Sequence, residues 1–336
     1  MTIGPGPCTI YYAGGTGGGN PGPYPQPSPT AASSAFIEQM LATLWPGSDF
    51  TAANGYNVQI VPYPAAMEPF SPDYEMSFSD SIDAGATIME EMITNWFDAN
   101  STGILCLSGV SQGASLVDKV LRDIESWSSP PPTDRLTYLT IANPSRPGGA
   151  FCHWWGPGSP LGTDIPIINY ANTYPCPNTR YSGTYLFWQY DGGGSDWPDL
   201  VAVPTSGGSV QGFLETVAAD ILCPMPVMNA MLGFLNLHIG VPLSGGIALE
   251  SLAGYQIGAQ VLEGPLYRGR FSAAQHINTT TYSNGGTCES YMLPTYPVIV
   301  PCAFMPPITF ELGNTIFGAL YELMYNRAAR PWGSAG

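Results

Sequence analysis

The stretch "LSGVSQGASL", residues 107–116, sets a serine between two glycines in the order Gly109-Val110-Ser111-Gln112-Gly113. An apolar run, "GILCL" at 103–107, leads into it, and residues 112–127 follow with helical spacing. A serine hydroxyl is a poor nucleophile until a base takes its proton. A strand–turn–helix holds such a serine clear of its own backbone, and flanking glycines relieve the crowding of so tight a turn. The helix that follows aims its first N–H groups at the reacting carbonyl. The five-residue pattern is common on its own, and an ordinary Gly-Ser turn is the plain alternative. Its position between an apolar run and a helical stretch makes Ser111 a candidate nucleophile.

Outward from this elbow the chain alternates between strand and helix. "CTIYYAGG" (8–15), "YNVQIVPYP" (56–64), "GILCLSG" (103–109), "LTYLTIANP" (136–144) and "GTYLFWQYD" (183–191) read as strands. Residues 31–45 and 80–98 read as helices, the second with Ile82, Ala86, Met89, Ile93 and Trp96 on one face. Such alternation predicts a mainly parallel sheet with helices on both faces. Right-handed crossovers then gather Gly14-Gly15-Thr16, Ser111 and the loop after Tyr190 along one edge. The expected organisation is an α/β core over 1–205, a helical cap or linker over 206–262, and a completion of the core over 263–336. The last part holds a polar loop at "SAAQHINTTTY" and a late helix at 308–326.

Composition narrows the partners. The 336 residues include one lysine and eight arginines against 25 acidic residues, for a formal net charge of −16. Nucleic acid would be repelled, and a neutral or lipid-like substrate fits better. The start, "MTIGPGPCTIYYAGG", lacks a basic segment followed by an apolar one, so no secretory signal is expected. The uncharged run 221–249 is interrupted by Pro224, Pro226 and Pro242, which argues against a membrane span. It reads either as core or as a roof over an acyl-chain groove. Seven cysteines leave at least one unpaired in a monomer; Cys106 reads as a buried thiol. Cys152 with Cys176, and Cys288 with Cys302, could close short loops. A zinc site fails on spacing, because no CxxC occurs. "GGTGGG" at 14–19 lacks the ending of a phosphate-binding loop, and Pro21 and Pro23 break any helix after it, so a nucleotide site is rejected.

An elbow serine calls for an acid and then a histidine further along the chain. The three histidines are His153, His238 and His276. His276, in the polar stretch, is the first choice for the base; His238, in "LNLHIG", is the second. His153 precedes any acid in the required order. "YDGGGSDWPD" (190–199) offers Asp191, Asp196 and Asp199, of which Asp196 is favoured because a glycine loop carries it away from the strand end. The N–H of Gln112 and a donor from Thr16 are the candidates for an oxyanion site.

Taken together, "GGTG" (14–17), "VPYPAAM" (61–67), "GVSQGASLV" (109–117), "ANPSRPGG" (142–149), "YDGGGSDWPD" (190–199) and "QHINTTTY" (275–282) resemble the mycobacteriophage lysin B family. Those serine esterases are related to cutinases and to the mycobacterial PE-PPE esterase domain. The resemblance implies an α/β-hydrolase core with a helical linker near the site, and a triad of Ser111, Asp196 and His276. It implies cleavage of the ester between mycolic acids and arabinogalactan at phage lysis, without metal or organic cofactor. The protein would be made in the host cytoplasm and act at the mycobacterial envelope. A general cutinase-like lipid esterase, and a non-catalytic virion or envelope-binding protein on the same fold, are the competing expectations.

Overall fold

A computed structural model describes residues 6–16, 52–67, 76–146, 164–165, 168–169, 178–188 and 275–293. The elements are β1 (Thr9–Ala13), β2 (Asn57–Ile60), α1 (Phe78–Ala99), β3 (Leu105–Val110), α2 (Gln112–Asp123), β4 (Leu136–Ile141), β5 (Asp164–Ile165), β6 (Ile168–Asn169), β7 (Ser182–Trp188), β8 (Gln275–Thr281) and β9 (Thr287–Leu293). Seven strands form one sheet in the order β2-β1-β3-β4-β7-β9-β8, while β5 and β6 pair separately. Within the large sheet every pairing is parallel except β8 with β9.

Why these segments become these elements follows from their patterns. β3 is buried at every position, as expected for a central parallel strand with both faces covered. α1 starts on Ser77, whose hydroxyl accepts the Asp80 N–H, and Asp80 adds its charge to the positive end of the helix. The predicted face of α1, Ile82, Ala86, Met89, Ile93 and Trp96, is buried. It joins Leu116, Val117, Val120 and Leu121 of α2 in one core with Leu105, Leu107, Leu136 and Tyr138 of the sheet. The expected helices at 31–45 and 308–326, the 206–262 cap and the boundaries drawn around it lie outside the described residues.

The order of the strands positions the site. From β1 the chain moves to β2 on one side, then crosses over β1 to reach β3 on the other. The loops leaving β1 and β3 therefore diverge at a reversal of strand order, where open α/β sheets form a crevice at the strands' C-terminal ends. Thr16 lies in the first of these loops and Ser111 in the second. The parallel sheet, its switch point and the strand–elbow–helix unit make this an α/β-hydrolase core.

One expectation is corrected. "QHINTTT" is strand β8, not a polar loop. Its β-branched threonines suit an extended edge, and it returns along β9 through a tight turn at Ser283-Asn284-Gly285-Gly286. Gly285 has φ +98°, a conformation that favours glycine. The Asn-Gly pair between two strand-forming runs was the sequence signal for this hairpin. Cys106 is a buried free thiol, as expected, and Cys288 on β9 is also buried and free; Cys152, Cys176 and Cys302 lie outside the described residues.

The helix–strand contact at the elbow is close. A Cβ on Gly113 would stand 2.1 Å from the Ala13 carbonyl oxygen, and one on Gly109 would stand 2.2 Å from that of Gly113. Backbone cannot yield as a flexible side chain does. We expect Gly113→Ala to cost about 2 kcal/mol or more through overpacking. Thermal unfolding of the variant against the native protein reads this directly, and an unchanged midpoint would refute the close approach.

Candidate active site

Ser111 sits at the junction of β3 and α2 with φ +53° and ψ −117°, a strained conformation for a residue with a side chain. Its N–H donates to the Ile141 carbonyl at the end of β4, and its own carbonyl accepts from Ala114 and Ser115, opening the helix. The residue is half-buried, while its neighbours Val110 and Gln112 are buried. Ser111 thus stands at the N-terminus of α2, the end that carries the positive pole of the helix.

Gln112 and Thr16 are brought together. The Thr16 hydroxyl donates to Gln112 Oε1 at 3.2 Å, and Gln112 Nε2 donates to the Ala66 carbonyl at 2.7 Å. The loop after β1 is also held from beneath, where the Tyr63 hydroxyl donates to the Gly14 carbonyl.

His276 is elsewhere. It lies on β8, level with Tyr291, Leu186, Ile141 and Val110 in successive strands. That is the height of the elbow, but four strand spacings away, about 19 Å across the sheet. Its imidazole is exposed, with Nε2 2.5 Å from Glu289 Oε2 and 3.2 Å from the Thr279 hydroxyl. The ring meets Tyr291 edge-on. The structure thus does not bring His276 to Ser111. Asp196, Asp191, Asp199, His238 and His153 lie outside the described residues. Among the described residues no group of three or more His, Cys, Asp or Glu side chains is arranged to hold a metal ion. No described helix is long and apolar enough to cross a membrane.

A buried polar cluster behind the elbow escaped the sequence reading. Asn143 donates to Asp118 Oδ2 at 2.9 Å, and the Ser145 hydroxyl donates to Ser115 at 2.8 Å, so the loop after β4 is fastened to α2 at two points. Ala142 at the head of that loop has φ +52°. Arg146, buried to 2% exposure, stacks its guanidinium 4.0 Å from the Phe187 ring centre on β7. Asp118 is itself 1% exposed. Burial pushes its carboxyl up to about 8, against the opposing pull of Asn143, Arg122 and Tyr185. Only the "ANPSR" stretch hinted at this cluster, since a lone Asp on a helix carries no sign of burial.

Comparison with known proteins finds similarity to a domain, to curated mycobacterial proteins and to solved structures. Residues 54–202 match the PE-PPE domain. Over 289 residues the chain is 24% identical to the protein named SL1278 acyltransferase Chp1 of Mycobacterium tuberculosis, covering 83% of this chain and 56% of that protein. It is 25% identical over 308 residues to the uncharacterized PPE family protein PPE63 of the same organism, covering 89% of this chain and 50% of that protein. The chain thus spans about half the length of these curated relatives. Among solved structures it is similar to lysin B from Mycobacteriophage D29, with 22% identity, 43% of this chain and 48% of that chain covered, and a TM-score of 0.27. It is also similar to a cutinase-like protein from Cryptococcus sp., with 17% identity, 70% and 95% covered, and a TM-score of 0.33.

Asp118 gives the site a measurable signature. A carboxyl that titrates near about 4 when unfolded holds its proton more firmly in the native state, so it favours folding fully only in acid. That contribution falls away as pH rises from about 4 to the native value near 8 and is then lost. We expect native stability, relative to Asp118→Asn, to decline across this window and to level off above it. Unfolding midpoints of both proteins at a series of pH values test this; parallel curves would mean that Asp118 is ionised in the fold. The relationship to mycobacterial PE-PPE proteins implied by the elbow and by "YDGGGSDWPD" is supported over residues 54–202, the part of the chain similar to the PE-PPE domain.

Proposed function

We propose that the chain is a serine esterase acting on lipid esters, with Ser111 as its nucleophile. The observation that carries this reading is Ser111 itself, at φ +53° between β3 and α2, flanked by two glycines whose added Cβ would meet backbone atoms at 2.2 and 2.1 Å. Such strain persists where function requires it. Asp196 is the proposed acid and His238 the proposed base. The segment that carries both leaves the sheet at Trp188 and returns at Gln275, and these positions pair with Leu293 and Met292 at the same C-terminal edge as the elbow. His276, the first choice on composition, is four strands from Ser111.

In this mechanism His238 takes the Ser111 proton as Oγ attacks the ester carbonyl. The N–H groups of Gln112 and Thr16 stabilise the oxyanion, and the imidazolium then gives its proton to the leaving alkoxide. Asp196 holds the imidazole in the tautomer that accepts from serine. Water, activated by the same histidine, releases the acid. The mycolate–arabinogalactan ester is the substrate that the lysin B resemblance implies. Similarity to a protein named as an acyltransferase supports a second outcome for the same acyl-enzyme, transfer to an alcohol in place of water.

Activity of purified protein on nitrophenyl esters of graded chain length is the primary test. We expect Ser111→Ala to reduce turnover by on the order of 10⁴-fold with folding intact. His238→Ala should fall comparably, while His276→Ala should keep most of the activity. The reverse pattern would return the base to His276. A native protein inert on every ester would favour the non-catalytic reading. Adding a long-chain alcohol and analysing products separates hydrolysis from transfer.

A further inference from the structure

The loop after β2 is positioned to set the geometry of the oxyanion site without touching the substrate. Tyr63 is fully buried, and its hydroxyl donates to the Gly14 carbonyl. A peptide unit is planar and trans, so its carbonyl and the following N–H point in opposite directions. Fixing the Gly14 carbonyl toward Tyr63 therefore fixes the plane of the Gly14–Gly15 peptide, and with it the point from which the chain enters the next peptide, which carries the proposed Thr16 N–H donor. Without that bond a Gly-Gly peptide could turn over at little steric cost. Burial pushes the Tyr63 phenol well above its ordinary value, so it remains a neutral donor at working pH.

The same loop holds the second half of the site. The Ala66 carbonyl accepts from Gln112 Nε2 at 2.7 Å, and the Ala66 N–H donates to the Ser81 hydroxyl of α1 at 2.9 Å. Ala65, the residue before Ala66, has φ +51°, so the loop carries strain of the same kind as the elbow. Gln112 Oε1 in turn accepts from the Thr16 hydroxyl. One loop thus grips the glycine strand through Tyr63 and the elbow residue through Ala66, and it is itself bolted to α1 through Ser81. A Cβ on Gly85 of α1 would stand 2.8 Å from the Tyr63 ring, so the helix lies close behind it.

We propose that Tyr63 and Ser81 are positioning residues that pre-organise the oxyanion site, Tyr63 by fixing the Gly14–Gly15 peptide and Ser81 by anchoring the N–H of Ala66, whose carbonyl accepts from Gln112. This rests on the esterase reading above. Pre-organised donors act on the charge that develops in the transition state and leave ground-state binding nearly unchanged.

The experiment compares native protein, Tyr63→Phe, Ser81→Ala and Ser111→Ala on nitrophenyl butyrate, with thermal unfolding recorded for each. Loss of one oxyanion donor costs on the order of 10²–10³ in kcat, so Tyr63→Phe, which disorders a donor without deleting it, should lose about tenfold or more. KM should change less than about twofold, because the loss is confined to the transition state. The rate of inactivation by an alkyl phosphonate, which places an oxyanion in the same site, should fall by the same factor as kcat. Ser81→Ala should shift kcat and inactivation in the same direction, and it carries the test if Tyr63→Phe fails to fold. Unchanged kcat in both folded variants, or a loss in KM alone, overturns the inference while Ser111→Ala inactivity upholds the esterase. A native protein inert on all esters, or an active Ser111→Ala, overturns both.

Discussion

The site depends on how closely the N-terminus of α2 approaches the sheet. Gly113 lies against the carbonyls of Ala13 and Gly14, and Gly109 against the backbone of Gly113 itself. With side chains at either position, the helix would stand off, and Ser111 would lose both its strained tip and its distance from Thr16. The Thr16–Gln112 bond, the grip of Tyr63 on Gly14 and the opening hydrogen bonds of α2 all presuppose that approach. Two absent methyl groups thus govern the arrangement of three strand-end loops.

Around this contact the loops are tied to helices by side chains and not by extra backbone pairing. Ser81 and Gln112 hold the loop after β2, and Asp118 and Ser115 hold the loop after β4. Backbone that leaves a sheet at its buried end has polar groups that water cannot reach, and each must find a partner. Here the partners come from the inner faces of α1 and α2, so the same bonds that satisfy the backbone also fix its direction. Three residues with side chains, Ala65, Ser111 and Ala142, take positive φ just past the ends of three adjacent or nearby strands. That distribution marks the C-terminal edge as the place where the fold stores strain.

What the sequence made legible was local. The elbow, the buried face of α1 and the parallel core could be read from glycine placement and apolar spacing, because those signals act within a few residues. The hairpin was also written locally, in Asn284-Gly285 between two strand-forming runs, but the polar composition of "QHINTTT" masked it. An edge strand facing water and a surface loop share that composition, and only pairing tells them apart. The place of His276 was hidden for the same reason: being polar and late in the chain says nothing about how many strands separate it from Ser111. The Asp118 cluster was illegible because burial of a carboxyl is decided by loops that arrive from elsewhere in the chain.

The hairpin has a further consequence for how the sheet ends. β8 is one margin of the described sheet and four-residue β2 is the other. Along β8 the pairing slips between His276 and Asn278, and Asn278, Thr279 and Thr281 face solvent. A flat, apolar margin would offer its unpaired N–H and carbonyl groups to any passing strand. A bulged, hydrophilic one, with an imidazole and a carboxylate beside it, is a poor template for such addition, and a very short one opposite is little better. The described sheet can therefore be wide and strongly apolar at its centre while both of its described margins resist strand addition.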